Sequence, residues 1–381
     1  MRSNNGHVAK RAGVAAAAVA LMVALGACGS SDNGGDNTAS AAAASTGGSQ
    51  QLAAEMKKLE VRPTKIGITD PIKDGVPNGK RVVFLQCAFP DCAQTGNAVQ
   101  TAATKVGWSL TRIPIGTSPE KIAAAWQAAL QKNPDAIINS GAYPQAFYKR
   151  YLDEAVARKL PLVAFAEAHQ GDPWTLVVGS GDGVGTATAD IAAKYVASKI
   201  SGGSVMAITI PGIGVIESEV AAFKQRLPQY CPKCTVDTLE VPPASIGTDA
   251  GKRIASYLQS HRDTKFGFLS VIDLVIGLKS ALAATGVKPV PLIGQSTSGV
   301  GLDAINNHDA GIEATTAYPA FDGAYRAIDA LARTFRGQSV KPDEDATFTH
   351  WLITANNVTK ERPLPAVKDY AQQFEALWGL K

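Results

Sequence analysis

From residue 80 onward, short apolar runs alternate with helix-length amphipathic stretches, and this rhythm more than any other feature limits what the chain can fold into. Strands are expected at Arg81–Gln86, Ser109–Pro114, Asp135–Asn139, Pro161–Phe165 and Thr175–Val178, and in a second series at Ser204–Ile210, Thr235–Val241, Phe266–Leu269, Pro291–Gly294 and Ile312–Ala317. Helical spacing of apolar residues marks Thr117–Lys132, Pro144–Lys159, Val184–Ile200, Val215–Leu227, Asp249–Ser260, Leu274–Thr285 and Phe321–Arg336. Thr117 and Glu120 form a capping box, with Pro119 early in the first turn. Strict strand–helix alternation implies parallel sheets covered by helices on both faces. Ten strands are too many for one open sheet of this length, so the expected class is α/β with two doubly wound, Rossmann-like lobes. Such lobes bind ligands at the carboxyl ends of their strands, and two facing lobes leave a cleft between them.

The N-terminus reads as an export signal. Arg2, Lys10 and Arg11 precede an apolar run from about Ala12 to Ala27, shorter than the roughly 20 residues of a membrane span. The run ends Leu25-Gly26-Ala27-Cys28, a match to a bacterial lipobox, which implies lipidation of Cys28 and removal of residues 1–27. The Gly/Ser/Ala-rich residues that follow, to about 50, read as a flexible tether. Of 37 basic residues, three fall in the signal, so the exported part is nearly balanced against 33 acidic ones. That balance argues against nucleic acid as a partner and against a basic membrane-surface helix, leaving the acyl chains as the only expected membrane contact.

Cys87, Cys92, Cys231 and Cys234 form an even set in an exported chain, which favours two disulfides, with local pairing as the simpler option. Free thiols, a shared zinc site and a redox role for Cys231-Pro-Lys-Cys234 are the alternatives. The redox motif would sit between a helix and the next strand, the reverse of the usual order. The five histidines, His7, His169, His261, His308 and His350, lack metal-ligand spacing. No dinucleotide fingerprint, P-loop or nucleophile elbow occurs. Neither a cofactor, a metal nor a catalytic residue is expected.

The order of elements from Lys80 to about Asn357 resembles the type I periplasmic binding proteins, the ribose/galactose-binding family. The likeness is carried by Arg81-Val-Val-Phe-Leu-Gln86, Pro134-Asp-Ala-Ile-Ile-Asn139, Lys159-Leu-Pro-Leu-Val-Ala164, Val178-Gly-Ser-Gly-Asp-Gly183, Gly311-Ile-Glu-Ala-Thr-Thr316 and the closing Phe374-x-x-Leu-Trp378. The resemblance implies a three-segment hinge near Gly179–Asp182, Thr316–Pro319 and Phe335–Ala346. The corresponding division is a signal (1–27), a tether (28–50), an N-terminal extension (51–79), a first lobe (80–181 with 319–345), a second lobe (182–318 with 346–362) and a helical tail (363–381). The related lac-type repressors place a DNA-binding motif before the same core, where this chain has an export signal.

The resemblance also nominates ligand residues. Phe89 stands where the family stacks an aromatic ring, with Asp91 in the same loop and Tyr143 after the third strand. Glu167 keeps the acid of a sugar-binding Asp-Arg pair, but Ala168 replaces the arginine; His169 follows. Asp182 at the first crossover, Glu217 or Glu219 on the next helix, Asp273, Gln295, Ser296 and Tyr318 complete the set. With the arginine, asparagine and aspartate positions changed, the site has few groups for many hydroxyls, which implies a solute less hydroxylated than a hexose: a small sugar-like molecule such as a modified sugar, or a partly apolar aromatic or alicyclic one, held in the cleft between the lobes. The implied role is that of a monomeric, lipid-anchored solute receptor on the outer face of the cell membrane, serving an ABC permease and ATPase; a sensory receptor on the same fold is the alternative, and an exported enzyme is the least supported.

Overall fold

The computed structural model describes residues 37–380 except 142, 347 and 349, with the side chains of 37–47, 90 and 91 outside the description. The export signal and Cys28 therefore lie outside the described residues, and so does the side chain of Asp91. Residues 44–381 make up one unit. Helix α1 (Asn37–Leu59) begins inside the stretch expected to be a tether; its Ala-rich run has strong intrinsic helix preference, which outweighs the neighbouring Gly and Ser.

The first sheet is wholly parallel, in the order β2-β1-β3-β4-β5. Its strands are β1 (Arg81–Gln86), β2 (Ser109–Pro114), β3 (Ala136–Asn139), β4 (Leu162–Phe165) and β5 (Leu176–Val178), linked by α2 (Pro90–Lys105), α3 (Pro119–Gln131) and α4 (Lys149–Ala157). Period-two geometry explains why β1 is apolar throughout. Val82 and Phe84 pack under α2, whereas Val83 and Leu85 face the opposite core with Trp126 and Leu152. Trp126 stacks on Tyr148 with ring centroids 4.7 Å apart. The cap of α3 is Ser118 rather than Thr117: its hydroxyl accepts from Lys121 N, one register later than the capping box implied.

After β5 a π-helical turn (Gly181–Gly185) leads into α5 (Thr186–Lys199) and the second lobe. There β6 (Gly203–Thr209), α6 (Gly214–Tyr230), β7 (Cys234–Glu240), α7 (Ala250–Ser260), β8 (Thr264–Leu269), α8 (Leu278–Thr285), β9 (Leu292–Gln295), α9 (Gly299–Asn306) and β10 (Ile312–Thr316) follow in turn. Val205 and Ala207 of β6 join the core beneath α5 and α6, while Met206 and Ile208 join the core beneath α7 and α8. Helix α10 (Ala320–Phe335) returns to the first lobe, followed by α11 (Lys341–Asp345). Strand β11 (Leu352–Thr354) then pairs antiparallel with β10, giving the second sheet the order β11-β10-β9-β8-β6-β7. Three residues carry too short a pattern to read as a strand, and β11 went unanticipated in the sequence. The final crossing falls after α11, because Arg326 binds Asp343 O (3.2 Å) and Arg333 pairs with Asp343 (3.2 Å), holding α11 on the first lobe.

Two further segments join the lobes. Met56 of α1 is buried in the second lobe and Lys194 holds Glu55 at 2.7 Å, while Ile66, Ile68 and Ile72 enter the first-lobe core. At the other end α12 (Tyr370–Leu377) packs on α10, with Trp378 stacked on Tyr325 at 5.4 Å. Helix α10 is buried from Ala320 to Arg333, so its polar side chains need internal partners. They find them in the extension: Arg326 binds Ile66 O (3.0 Å) and Arg333 binds Asp70 O (2.5 Å). No helix among the described residues is long and apolar enough to cross a membrane.

Candidate functional site

The loops at the carboxyl ends of the strands converge on a cavity of about 120 Å³ between the lobes. From the first lobe come Phe89 with the Cys87–Cys92 disulfide, Thr95, Ser140, Gly141, Tyr143, Phe165 and Ala166. The second lobe supplies Ile213, Val215, Ile216, Glu219, Val271, Gln295 and Ser296, and Tyr318 enters from the second crossover. Phe89 packs against the cores of both lobes, the position a stacking ring needs. A second disulfide joins Cys231 and Cys234 at the start of β7, away from the cavity.

Backbone hydrogen bonds fix the loops. Ser140 Oγ accepts from Cys87 N (3.0 Å) and donates to Leu85 O (2.9 Å), tying the loops after β1 and β3 together. Gln170 copies a strand partner for β5, donating to Val177 O (2.6 Å) and accepting from Val177 N (3.0 Å). Gly181 N and Asp182 N donate to Glu167 O (2.9 Å) and Ala168 O (3.1 Å), so the loop after β4 is laced to the first crossover. Ala166 (φ 60°) and Ser296 (φ 101°) both sit in left-handed backbone at the cavity edge. Non-glycine residues hold such geometry at a cost of order 1–3 kcal/mol and concentrate at binding sites.

Of the residues expected from sequence, Phe89, Tyr143, Glu219, Gln295, Ser296 and Tyr318 line this cavity. Five others do not. Glu167 is not part of the lining; the Tyr148 hydroxyl donates to its Oε1 (3.4 Å), and burial pushes its carboxyl up to about 7. His169 and Asp182 face each other at 3.5 Å with both side chains exposed. Glu217 accepts from Gly212 N (2.9 Å), closing the loop ahead of α6. Asp273 is fully buried in a short turn, its carboxyl raised by burial. Sequence reasoning missed Thr95, Ser140, Phe165, Ile213, Val215, Ile216 and Val271. Most are aliphatic or aromatic, without chemistry to flag them; only their position beside strand ends could have singled them out.

The electrostatics are one-sided. Glu219 is 1% exposed, and its Oε1 has no hydrogen-bond partner among the described residues. Burial raises its carboxyl well above the usual range, and no neighbouring charge contributes. Tyr143 is raised to about 12 by burial, and its hydroxyl likewise lacks a protein partner. Among the described residues lining the cavity there is no Lys, Arg or His. Among the described residues no cluster of His, Cys, Asp and Glu could hold a metal ion.

The model of the periplasmic binding protein domain family matches residues 91–339. Among solved structures, similarity extends to an ABC transporter solute binding protein from Mycobacterium smegmatis with bound glycerol (TM-score 0.65, 19% identity, 74% of this chain and 98% of that one). An ABC transporter solute binding protein from Agrobacterium vitis with bound allitol (0.63, 18%, 74% and 97%) is comparable. So is a periplasmic ribose ABC transporter protein from Conexibacter woesei DSM 14684 (0.60, 18%, 75% and 95%). At these identities the likeness speaks for the fold. No curated protein matches the chain by sequence. Two parallel-sheet lobes, a cavity at their facing strand ends and a family match over most of both lobes lead to one conclusion: the chain belongs to the periplasmic binding protein family, with the type I fold.

Proposed function

We propose that this protein is an extracytoplasmic solute receptor, tethered by lipid on Cys28, that closes its lobes on a small, partly apolar solute and delivers it to an ABC permease and its ATPase. The observation that carries the reading is the shared cavity, to which both lobes and the second crossover contribute side chains. A solute that touches both lobes favours the closed arrangement by its differential affinity for that state, and the closed shape is what a transporter can recognise. The family match and the lipobox preceding the exported body support the same role. The lining, dominated by aromatic and aliphatic groups, favours a solute with fewer hydroxyls than a hexose.

Mass spectrometry of solute released from the purified mature protein identifies the cargo, and calorimetry with that solute measures its affinity. Small-angle scattering is expected to show compaction on binding, and Phe89→Ala to abolish it at the same solute concentration. Binding with no change in the scattering curve, or solute loss unaffected by Phe89→Ala, rejects capture by lobe closure. Cys28→Ala is expected to release the protein from the membrane fraction; retention there rejects the lipid anchor.

A further inference from the structure

The cavity pairs one buried acid with a wall of rings, and that combination narrows the ligand further. We propose that the solute carries a cationic amine head that pairs with Glu219, and an alicyclic or aromatic body that packs between Phe89, Tyr143 and Phe165. This inference rests on the interlobe site being the binding site, and deepens that reading by naming the chemical class.

Glu219 is 1% exposed, lines the cavity, and leaves Oε1 without a protein partner. A buried carboxyl in that state is costly unless something supplies a charge or a donor, and among the described residues no Lys, Arg or His lines the cavity to do so. An anionic solute would find no cation among the described lining residues to pair with. A polyol would meet mostly carbon. An ammonium supplies both the positive charge and N–H donors, and can also donate to the Tyr143 hydroxyl, which lacks a protein partner too. Aromatic faces add cation–π attraction, strongest when water is excluded. The volume of about 120 Å³ is close to that of cavities known to admit benzene, about 150 Å³, so a body of one six-membered ring is the right scale.

The protonation state adds a readout. Burial alone raises the Glu219 carboxyl, so the empty site holds its proton to higher pH than an exposed glutamate does, and pairing with an ammonium favours loss of that proton. Of the charged groups on elements packed around it, Lys224 and Arg226 further along α6 face Thr238 (3.2 Å) and Asp190 (3.9 Å), and Lys199 on α5 faces Glu313 (3.3 Å). Glu217 on the same helix holds Gly212 N, Asp182 on the π-helical turn faces His169, Asp190 and Lys194 on α5 pair at 3.1 Å, and Tyr143 across the cavity is uncharged at neutral pH.

The test uses three probes on one skeleton: cyclohexylamine, cyclohexanol and cyclohexanecarboxylate, titrated calorimetrically into the full mature protein. Cyclohexylamine is expected to bind at least about tenfold more tightly than cyclohexanol, with the carboxylate weakest. Glu219→Gln is expected to weaken cyclohexylamine by about 30-fold or more and to leave cyclohexanol within about threefold, so that the amine's advantage shrinks by about tenfold or more. In buffers of different ionisation enthalpy near pH 6.5, amine binding to the wild type should release more protons than amine binding to Glu219→Gln. Cyclohexanol binding as tightly as the amine, equal amine affinity in Glu219→Gln, or failure of all three probes overturns the proposal. If glycerol or ribitol instead binds in a Phe89-dependent way, the amine class falls and the solute-receptor reading stands. If solute capture is insensitive to Phe89 as well, both fall.

Discussion

Tyr318 lies directly over Gly179: a Cβ built on the glycine would stand 2.6 Å from the tyrosine hydroxyl, which itself donates to Val178 O at 3.4 Å. The contact joins the first crossover to the second, so the hinge and the cavity wall share one side chain. Gly179 also holds φ +69°, a left-handed geometry that costs an L-residue about 1–2 kcal/mol. Gly179→Ala is therefore expected to lose about 2–3 kcal/mol in urea unfolding and to weaken solute binding by displacing Tyr318. Gly212→Ala, at φ +81° with open space around it, is the control that carries the backbone strain alone. Equal losses in the two variants would show that the Tyr318 contact is immaterial.

Phe89 sits inside the loop closed by Cys87–Cys92, and its ring touches both lobes. Phe89→Ala is expected to weaken solute binding by about 10- to 100-fold, the loss typical of an aromatic anchor. Replacing Cys87 and Cys92 by serine frees the loop, which must then be ordered on binding, so a several-fold loss of affinity is expected. The same change at Cys231 and Cys234 should lower stability by about 2 kcal/mol without altering affinity, since that loop is remote from the cavity. Calorimetry on the two double variants decides between local and global effects.

Glu167 holds its proton up to about pH 7 in the folded protein because burial disfavours its charge. The unfolded chain releases that proton near pH 4.5, so between these values the native state binds more protons, and stability falls as pH rises through the window. Glu167→Gln keeps an acceptor for the Tyr148 hydroxyl without the charge. It is expected to match the wild type near pH 4 and to exceed it by about 2–3 kcal/mol at pH 7.5. Urea midpoints for both proteins across this range give the difference; a constant offset would disprove the assignment.

Trp378 donates its indole N–H to Asp329 (2.7 Å), and Arg333 joins Asp329 to Asp343 beneath the C-terminal helix. Arg333→Met removes the guanidinium that pairs with both buried aspartates and leaves only the more distant charge of Arg326, a loss of about 3–5 kcal/mol at neutral pH that shrinks in acid as they protonate. Trp378→Phe removes one charged hydrogen bond, about 1.5–3 kcal/mol. Because both act on Asp329, their effects should not add. An additive double-mutant cycle would contradict the shared network.

Hydrophobic periodicity made the two-sheet architecture legible, since strands buried on both faces must be apolar at every position, as Val82 to Leu85 and Val205 to Ile208 are. It missed β11, whose three residues owe their strand state to the exposed edge of β10. It also misplaced the cap of α3, where Thr117 and Ser118 are both competent and only the backbone path selects Ser118. For the site, aromatic and acidic residues in strand-end loops pointed to Phe89, Tyr143, Glu219 and Tyr318. The same signal also picked Glu217 and Asp182, which differ from Glu219 only in the direction the helix and loop turn them.

Local chemistry along the chain determined the lobes and the set of loops that could meet a ligand, and made local pairing of the cysteines the simpler option, because propensity and spacing act over a few residues. Only the folded arrangement decided which side chains share the cavity. It took Glu219 out of water, set Phe89 between two cores and threaded residues 62–79 past α10 to satisfy Arg326 and Arg333. Burial, and with it the charge state of an acid, is a property of distant segments packed together, and no run of neighbouring residues encodes it.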